Sequence, residues 1–509
     1  MGMKKRSRTV NAALNSATSF LYQMVRMISL FVIPRLILSR FGSSYNGITN
    51  SITQFLGVVS LLSAGIGGVT HAALYKPLAE NDMDAVSRIL KATEKFLRKI
   101  AVIFVVFLLI FACIYPFIIR GQFEWFFTFT LILIIGSSTV AEYCFGMTYR
   151  YLFQSDQRMS VVNVINTFAT IINIVIAVVL IRAGFGIHIV KLGSAFAFCI
   201  NPVLLYLYAH KEYKILKDVE PDNTSIRQRW DAFAHQVALF IHTNTDMMIL
   251  TFLVTLKEVS VYSVYSQLTN GIYTILRCFF PSIQTAFGQM FARNEKVAIK
   301  KNFAQFEVIV FSVATVMFTV ALCMLLSFVK IYTNGVTDVN YNRPAFGYLL
   351  VIASYFFSIR VPYQNVIEAV GHYRQTKKYS YIEAGMNLSL SIMLVLKLGL
   401  AGVAIGTLVA NAYRTICYAF YVSKNLIEDV RGSFIKHILV SIASGSVIII
   451  IYRLVSFDSA SGYSVWFMQS LIVGIVSIFV VLMTDLLFYL EETISVISRF
   501  AGLIRKILK

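Results

Sequence analysis

Charged residues are scarce in this sequence. Only 14% of its 509 residues are Asp, Glu, Lys or Arg, whereas 57% are hydrophobic, and the mean hydropathy is +0.71. This composition excludes a set of soluble domains and is typical of a polytopic membrane protein. Acidic residues are scarcer than basic ones: the sequence has 25 Asp and Glu against 45 Lys and Arg, which gives a net charge of +20.

Cysteine is also sparse, and its spacing excludes two kinds of site. The six cysteines lie singly in apolar stretches, with no C-x-x-C and no Cys/His spacing. A disulfide framework or a metal centre needs such spacing, so we predict neither, and no cofactor. The cysteines are interpreted as small buried apolar side chains. The sequence leaves open whether Na+ or H+ serves as a coupling ion.

Long hydrophobic runs dominate the chain. A helix needs about 20 apolar residues to cross the hydrocarbon core of a bilayer. By that measure the sequence predicts an all-α protein with fourteen transmembrane helices, at 12–40, 45–74, 97–119, 125–150, 159–181, 187–209, 235–256, 261–290, 304–330, 344–370, 379–396, 400–422, 436–453 and 464–489. An even number of spans places both termini on one side of the membrane.

The distribution of Lys and Arg predicts which side that is. The segments on the side of the termini hold 31 Lys and Arg, whereas the turns on the opposite side hold eight. Because basic residues are retained in cytoplasmic segments, both termini are expected in the cytoplasm. The net charge thus reflects topology and attraction to anionic lipid, and no nucleic-acid partner is expected.

An internal repeat predicts the domain organisation. Shifting the sequence by 220 residues aligns 45–76 with 265–296 without a gap, and eight of the 32 positions are identical. Six spans separate the two copies, so the repeats run parallel and are related by a pseudo-two-fold axis along the membrane normal. We therefore predict six-helix bundles at 1–215 and 230–424, an additional helix pair at 436–489, and a basic amphipathic cytoplasmic tail at 490–509.

Arginines within the predicted spans are the unusual feature of the sequence. A charge near the bilayer centre costs about 2.5–3.5 kcal/mol on insertion scales, so it is retained where it contacts water, protein or a ligand. Away from the span ends, the spans contain five arginines: Arg26, Arg35, Arg277, Arg360 and Arg414. Three interpretations are open, namely snorkelling to the interface, internal ion pairs, or an anionic ligand in a cationic lumen. The surplus of deep cations over deep acids favours the anionic ligand.

Four acids lie in or near the same spans, and they are candidates for ion pairing or coupling. These acids are Glu142, Asp246, Glu368 and Glu383. We assign Glu142 and Asp246 as candidate coupling or gating residues. Under the 220-residue shift Asp246 aligns with Arg26, which suggests that it pairs with a lumen arginine and releases it when an anionic head group arrives.

The first two spans carry motifs that resemble those of a known family. The motifs are Pro34-Arg35-Leu36, Phe41-Gly42, Tyr45-Asn46-Gly47 and Ala64-Gly65-Ile66-Gly67. They are similar to the first helical hairpin of Wzx-type bacterial polysaccharide flippases, in the superfamily of multidrug, oligosaccharidyl-lipid and polysaccharide exporters. The span number, the repeat and the cytoplasmic termini extend the resemblance over nearly the whole chain.

The resemblance implies a transporter that alternates between inward-open and outward-open states. Its substrate would be an undecaprenyl-diphosphate-linked oligosaccharide for cell-surface polysaccharide (O-antigen, capsule or exopolysaccharide), and a polysaccharide polymerase and other assembly proteins would be its partners. Arg26 and Arg277 lie on the first and eighth helices, where related lipid II flippases carry lumen arginines. Arg35, Arg360 and Arg414 are further candidates for substrate binding.

Two other functions remain open on the sequence. A drug/cation antiporter of the same fold would need a cavity dominated by acids and aromatic residues, which the arginine surplus disfavours. A membrane glycosyltransferase or polymerase would need catalytic residues in a large outer loop. The predicted outer loops are short and contain little beyond Asp338 and Asp458, so we expect a transporter and not an enzyme.

Overall fold

The computed structural model describes residues 8–119, 121–216, 218–222, 244–277, 280–455 and 462–507. All the regular structure in these residues is helical, which confirms the predicted all-α membrane fold. By their internal contacts the residues form two compact units, Met1–Ser260 and Val261–Lys509. The first unit therefore includes helical residues 244–253, in the seventh predicted span.

The first unit contains eight labelled helices, a short 3₁₀ turn and a π turn. In chain order they are α1 (Arg8–Phe41), α2 (Ser43–Leu56), the 3₁₀ turn Gly57–Val59, α3 (Ser60–Glu80), α4 (Met83–Ile118), α5 (Trp125–Ala141), the π turn Glu142–Gly146, α6 (Met147–Ser155), α7 (Met159–Arg182) and α8 (Ile187–Glu212). Helix α1 packs on α7, α7 packs on α8, and α5 contacts both α4 and α8.

The second unit begins within α9 (Leu256–Arg277), the helix in which the division at Ser260 lies. The following helices are α10 (Phe280–Ala292), α11 (Lys296–Tyr332), α12 (Pro344–Ile359), α13 (Val361–Ala369), α14 (Tyr373–Leu398), α15 (Leu400–Asn425), α16 (Val430–Val455), α17 (Tyr463–Phe488) and α18 (Leu490–Ile507). Helix α15 packs on α12 and α14, whereas α16 and α17 pack on α11 and on each other.

Every predicted span contains helix in the structure. Among the described residues, eleven helices are long and apolar enough to cross a membrane. Three predicted spans are not among the eleven: 45–74 is divided between α2 and α3 by the 3₁₀ turn, while parts of 235–256 and 261–290 lie outside the described residues. The chain is a multi-pass membrane protein.

Two helices are much longer than a bilayer requires. Helix α4 has 36 residues and α11 has 37, so at 1.5 Å per residue each measures about 55 Å, against about 30 Å for the hydrocarbon core. The α4 extension begins at Asp82, whose carboxylate accepts a hydrogen bond from the Ala85 backbone N–H at 3.0 Å. It packs through Val86, Ile89 and Leu90 into a hydrophobic cluster with the ends of α6 and α8.

A polar cluster lies beside this extension, where α6 and α8 end. The Tyr213 hydroxyl donates to Asp156 at 2.5 Å, and Arg158 pairs with Glu212 at 3.1 Å. Burial of Tyr213, together with the negative charge of Asp156, raises the pKa of its phenol, so the hydroxyl stays a hydrogen-bond donor. The cluster joins the end of α8 to the segment between α6 and α7.

The fourth span of each predicted six-helix bundle is interrupted at an ionisable residue. In the first unit, α5 ends where the π turn begins at Glu142. In the second, Arg360 occupies the turn between α12 and α13, and Pro362 follows in the first turn of α13. A backbone N–H in the first turn has no acceptor within its own helix, so a proline, which lacks this N–H, is tolerated there. Both residues keep helical backbone dihedral angles but lie where the regular α-helical hydrogen-bond pattern is interrupted.

The closest helix pair in the second unit is α14 and α15, and glycine allows the approach. Gly402 and Gly406 are spaced as in the small-x-x-x-small pattern of membrane helix pairs. A Cβ atom on Gly402 would lie 2.4 Å from the backbone carbonyl of Leu394, and one on Gly406 would lie 2.5 Å from Ser391 Oγ. The backbones can therefore pack at this distance only without side chains.

We expect Gly402→Ala to destabilise the protein by about 1–3 kcal/mol, because the added methyl must push α14 and α15 apart. Thermal unfolding of the purified protein in detergent measures the change. The matched control is Gly385→Ala in α14, where a Cβ meets nothing within 4 Å and the substitution is expected to be neutral or slightly stabilising. Equal stability of the two variants would contradict close packing at Gly402.

Candidate functional site

The first unit encloses a cavity of about 530 Å³, which lies between α1, α5, α6, α7, α8 and the π turn. This volume falls within the range of small-molecule sites, about 300–1,000 Å³. Its lining consists of Ser19, Tyr22, Gln23, Ser138, Thr139, Glu142, Tyr143, Met147, Arg150, Met159, Asn163, Asn166, Ala169, Thr170, Phe198 and Asn201. Most of these side chains are polar and neutral, which is unusual for the interior of a membrane bundle.

One ion pair contributes the only charges of this lining. Arg150 Nη2 lies 2.7 Å from Glu142 Oε1, and the two side chains are 30% and 22% exposed. Because opposite charges offset each other, the cavity lining is neutral overall. The pair therefore supplies donors and an acceptor of high hydrogen-bonding strength without adding net charge.

The π turn positions the Glu142 carboxylate. A Cβ on Gly146 would lie 2.8 Å from Glu142 Oε2 and 2.9 Å from Pro202 Cβ. Glycine at this position thus leaves space for the carboxylate between the π turn and α8. Single π turns within α-helices occur frequently at functional sites, since they redirect one side chain without ending the helix.

Amide side chains provide the remaining polarity. The Asn201 amide donates a hydrogen bond to Asn166 Oδ1, and the Asn163 amide donates to Thr18 at 3.4 Å. Gln23 Oε1 and Asn201 Oδ1 are buried and accept no hydrogen bond from the described residues. These two carbonyl oxygens are therefore available to a ligand that carries hydroxyl or N–H donors.

The cavity face of α1 continues to Arg26. Ser19, Tyr22 and Gln23 line the cavity, and Arg26 follows at the i+3 or i+4 spacing that keeps residues on one side of a helix. The Arg26 side chain is exposed. Arg35, nine residues farther on and half-buried, is half a turn out of phase with Arg26 and so lies on the opposite side of α1.

A second group of charges is buried in the second unit. Glu383 in α14 is fully buried and bridges two arginines: Oε1 accepts from Arg360 Nη1 at 2.6 Å, and Oε2 accepts from Arg414 Nη1 at 2.5 Å. The two arginine side chains are 2% and 8% exposed. Each guanidinium also contacts an aromatic ring, with Arg360 4.4 Å from the Phe357 centroid and Arg414 4.9 Å from that of Tyr418.

This triad links three helices through one carboxylate. Internal ion pairing was one of the three interpretations of the membrane arginines, and the structure shows it for Arg360 and Arg414. Neither side chain lines the cavity of the first unit. Their assignment as substrate-binding residues stays a prediction. An anion could bind them only by replacing or adding to the contacts with Glu383.

The structure places the other predicted residues as follows. Glu142 lines the cavity, whereas Asp246 is buried in helical residues 244–253. That segment packs in the first unit, where Thr251 Oγ1 lies 2.8 Å from Ser51 Oγ. Arg277 ends α9, and its side chain lies outside the described set. The pairing of Asp246 with a lumen arginine stays a prediction.

Similar folds occur among solved structures. The lipid II flippase MurJ in an inward-closed conformation superimposes with a TM-score of 0.73 at 14% identity, covering 94% of this chain and 99% of that one. An inward-facing MATE family multidrug transporter of the MOP superfamily gives 0.55 at 13% identity, with 82% and 97% covered. A mutant of the MATE transporter VcmN from Vibrio cholerae gives 0.56 at 12% identity, with 83% and 100% covered.

The chain has the fold of these transporters. The superfamily resemblance inferred from the sequence is thus confirmed at the level of the fold. No protein-family model and no curated protein matches the sequence.

Several site residues were missed by sequence reasoning. The sequence alone assigns no role to Arg150 or to the amides of Asn163, Asn166 and Asn201. A signal was present, because Asn163 and Asn166 are three residues apart in an otherwise apolar span, which puts them on one face. Polar residues that repeat at helical spacing within a span would have indicated the cavity.

Glu383→Gln should destabilise the protein by about 3–5 kcal/mol, because it leaves two buried guanidinium groups without a counter-charge. Thermal unfolding in detergent measures this loss. Glu368→Gln is the matched control, since Glu368 is only half-buried and its Oε1 accepts from the neutral Gln364 amide at 2.7 Å. If the two variants unfold at the same temperature, the triad does not hold the second unit together.

Proposed function

We propose that this protein is a flippase that carries an undecaprenyl-diphosphate-linked oligosaccharide from the cytoplasmic to the outer leaflet of a bacterial cytoplasmic membrane. Transport would proceed by alternating access and would supply the synthesis of cell-surface polysaccharide. The observation that carries the proposal is the continuity between the neutral, amide-lined cavity and the exposed Arg26 on one face of α1.

The two parts of that face match the two parts of such a substrate. A diphosphate requires a cation, and the guanidinium of Arg26 can donate two parallel hydrogen bonds to phosphate oxygens. An oligosaccharide presents many hydroxyl groups and few charges. The cavity offers free carbonyl oxygens on Gln23 and Asn201 and aromatic rings such as Tyr22 and Phe198, against which a sugar ring can pack.

The remaining candidates have defined places in this proposal. Arg277 would be a second contact for the diphosphate, while Arg35, Arg360 and Arg414 would contact the substrate in another state of the cycle. Glu142 and Asp246 would couple binding to the conformational change: Glu142 by exchanging Arg150 for a substrate group, Asp246 by releasing an arginine. A polymerase and other assembly proteins would take the product on the outer face.

The drug/cation antiporter of the same fold is the second candidate, since MATE transporters share this fold. A cationic drug would require an acid with spare charge in the cavity. Glu142, the acid of the lining, is paired with Arg150 at 2.7 Å, and Arg26 adds a positive charge on the adjacent turn of α1. This balance of charge favours an anionic substrate.

Replacing Arg26 tests the proposal in cells. Arg26→Ala should lower surface polysaccharide at least about tenfold, because a hydrogen bond to a charged group contributes about 1.5–3 kcal/mol. Arg277→Ala should act in the same direction. Lysine at position 26 should restore export in part, since it keeps the charge and loses the two-pronged geometry.

The assay is quantification of surface polysaccharide in the native bacterium after replacement of the gene, with membrane content of each variant measured in parallel. Arg40→Ala is the matched control, because Arg40 is an exposed arginine near the end of the same helix. Undiminished export by Arg26→Ala and Arg277→Ala, at normal membrane content, would overturn the proposal.

A further inference from the structure

A second polar site lies in the second unit, where α16 and α17 pack on α11. Two carboxylates are buried there, Glu307 with 1% and Asp485 with 8% of the residue surface exposed. A carboxylate at such a position must be protonated or matched by a cation, because the surrounding hydrocarbon and protein cannot solvate its charge. The arrangement of the neighbouring groups decides between these two possibilities.

Asp485 makes one short contact with a hydroxyl. Its Oδ2 lies 2.5 Å from Ser312 Oγ, and the same Oγ lies 2.7 Å from the Val308 carbonyl oxygen, so the single hydroxyl proton serves one of these two acceptors. Among the described residues, Asp485 forms no ion pair. The charge of this carboxylate is thus not balanced by a side chain in the described part of the protein.

A small cavity adjoins the Asp485 side chain. Its volume is about 10 Å³, the space of roughly one water-sized sphere. Its lining includes residues with hydroxyl or carboxyl side chains from three helices, namely Ser312 and Thr315 of α11, Ser441 and Ser444 of α16 and Asp485 of α17, together with Tyr489, which follows α17.

The Tyr489 hydroxyl is the independent sign that something binds here. Tyr489 is 94% buried, at 6% exposure, and it lines the cavity. Its hydroxyl oxygen is buried and has no hydrogen-bond partner among the described residues. Buried hydroxyls are almost always satisfied, so this oxygen indicates a ligand that fills the cavity.

Two other ionisable groups near the cavity, Glu307 and His437, do not form an ion pair with the Asp485 carboxylate. Glu307 accepts hydrogen bonds from the hydroxyls of Tyr363 at 2.7 Å and Ser433 at 2.9 Å. The His437 ring stacks between Phe311 and Tyr489, with centroid distances of 4.8 and 4.5 Å.

Lys436 is a cationic residue that contacts Tyr489. Its Nζ lies 4.5 Å from the Tyr489 ring centroid and donates to the Phe488 carbonyl at 2.6 Å, and its side chain is exposed. It forms no ion pair with Asp485 or Glu307 in the described part of the chain. Near Tyr489 there are thus two buried acids, and neither forms an ion pair with a cationic side chain among the described residues.

We propose that this cavity binds a single Na+ ion, with Asp485 as its anionic ligand and the surrounding hydroxyls as neutral ones. Hard cations prefer oxygen ligands, and the lining is rich in hydroxyls. A divalent ion such as Ca²⁺ would call for more carboxylates and more space.

The ion would join α11, α16 and α17, because its ligands come from all three helices. Na+ would therefore stabilise the packing of α16 and α17 on α11. This role is independent of the transported substrate, since none of the ligands belongs to the cavity of the first unit. The proposed binding of Na+ is therefore the same whether the protein is a flippase or an antiporter.

Thermal unfolding of the purified full-length protein in detergent tests the proposal. NaCl, KCl and choline chloride are compared at constant ionic strength. A ligand that binds only the folded state raises its stability with concentration, so the unfolding temperature should rise progressively with Na+ and little with K+ or choline. Asp485→Asn should abolish the Na+ response.

Two further variants separate binding from folding. Tyr489→Phe removes one oxygen and should raise the Na+ concentration that gives half of the effect by about tenfold, as loss of a favourable contact of about 1.4 kcal/mol would. Ser477→Ala is the matched control: Ser477 is a buried serine in α17 that donates to the carbonyl of Val473 in its own helix, outside the cavity. It should keep the full Na+ response.

Three results would overturn the Na+ site. One is an equal rise in unfolding temperature with Na+, K+ and choline, which would reflect ionic strength alone. Another is a stability that depends on pH but not on Na+, which would mean that Asp485 is protonated. The third is an unchanged Na+ response in Asp485→Asn or, if that variant does not fold, in Tyr489→Phe. None of them bears on polysaccharide export, so failure here is distinct from failure of the flippase proposal.

Discussion

An ionised side chain cannot stand alone within a bilayer, and this constraint determines the structure's most distinctive features. Glu383 meets it by bridging Arg360 and Arg414 through its two oxygens, deep in the second unit. In the first unit Glu142 and Arg150 meet it as a pair beside a cavity. The first arrangement ties three helices together in a dry interior, whereas the second leaves its charges accessible to a ligand.

The two arrangements occur at corresponding places in the chain. Glu142 begins the π turn that interrupts the fourth span of the first predicted bundle, and Arg360 lies at the turn that interrupts the fourth span of the second predicted bundle. Their positions differ by 218 residues, close to the 220-residue shift of the internal repeat. The repeat thus places an ionised residue at an irregular turn in both units, with opposite sign.

The spans could be predicted from the sequence because hydrophobic length is a local property, and each predicted span contains helix. Pairing could not be predicted, because it depends on which helices become neighbours. Arg150 shows a further limit: it lies in the same helical stretch as Glu142, but about two turns farther on, and this spacing alone does not predict an ion pair. Arg360 and Arg414 were recognised as buried charges, yet their common partner, Glu383, lies in a helix between them in sequence. The amide lining of the cavity was overlooked because single asparagines carry no charge to mark them.

The central claim is that the protein moves an anionic, lipid-linked saccharide across a membrane. Its most direct test is translocation in proteoliposomes that contain the purified protein and a fluorescent undecaprenyl-diphosphate-linked oligosaccharide. The readout is the fraction of fluorophore that a membrane-impermeant reagent quenches from outside. The account predicts that lipid initially confined to the inner leaflet becomes quenchable faster than in protein-free vesicles, with Arg26→Ala slowing the change. A rate equal to that of protein-free vesicles, with lipophilic cations transported by the same preparation, would contradict the account and identify an antiporter.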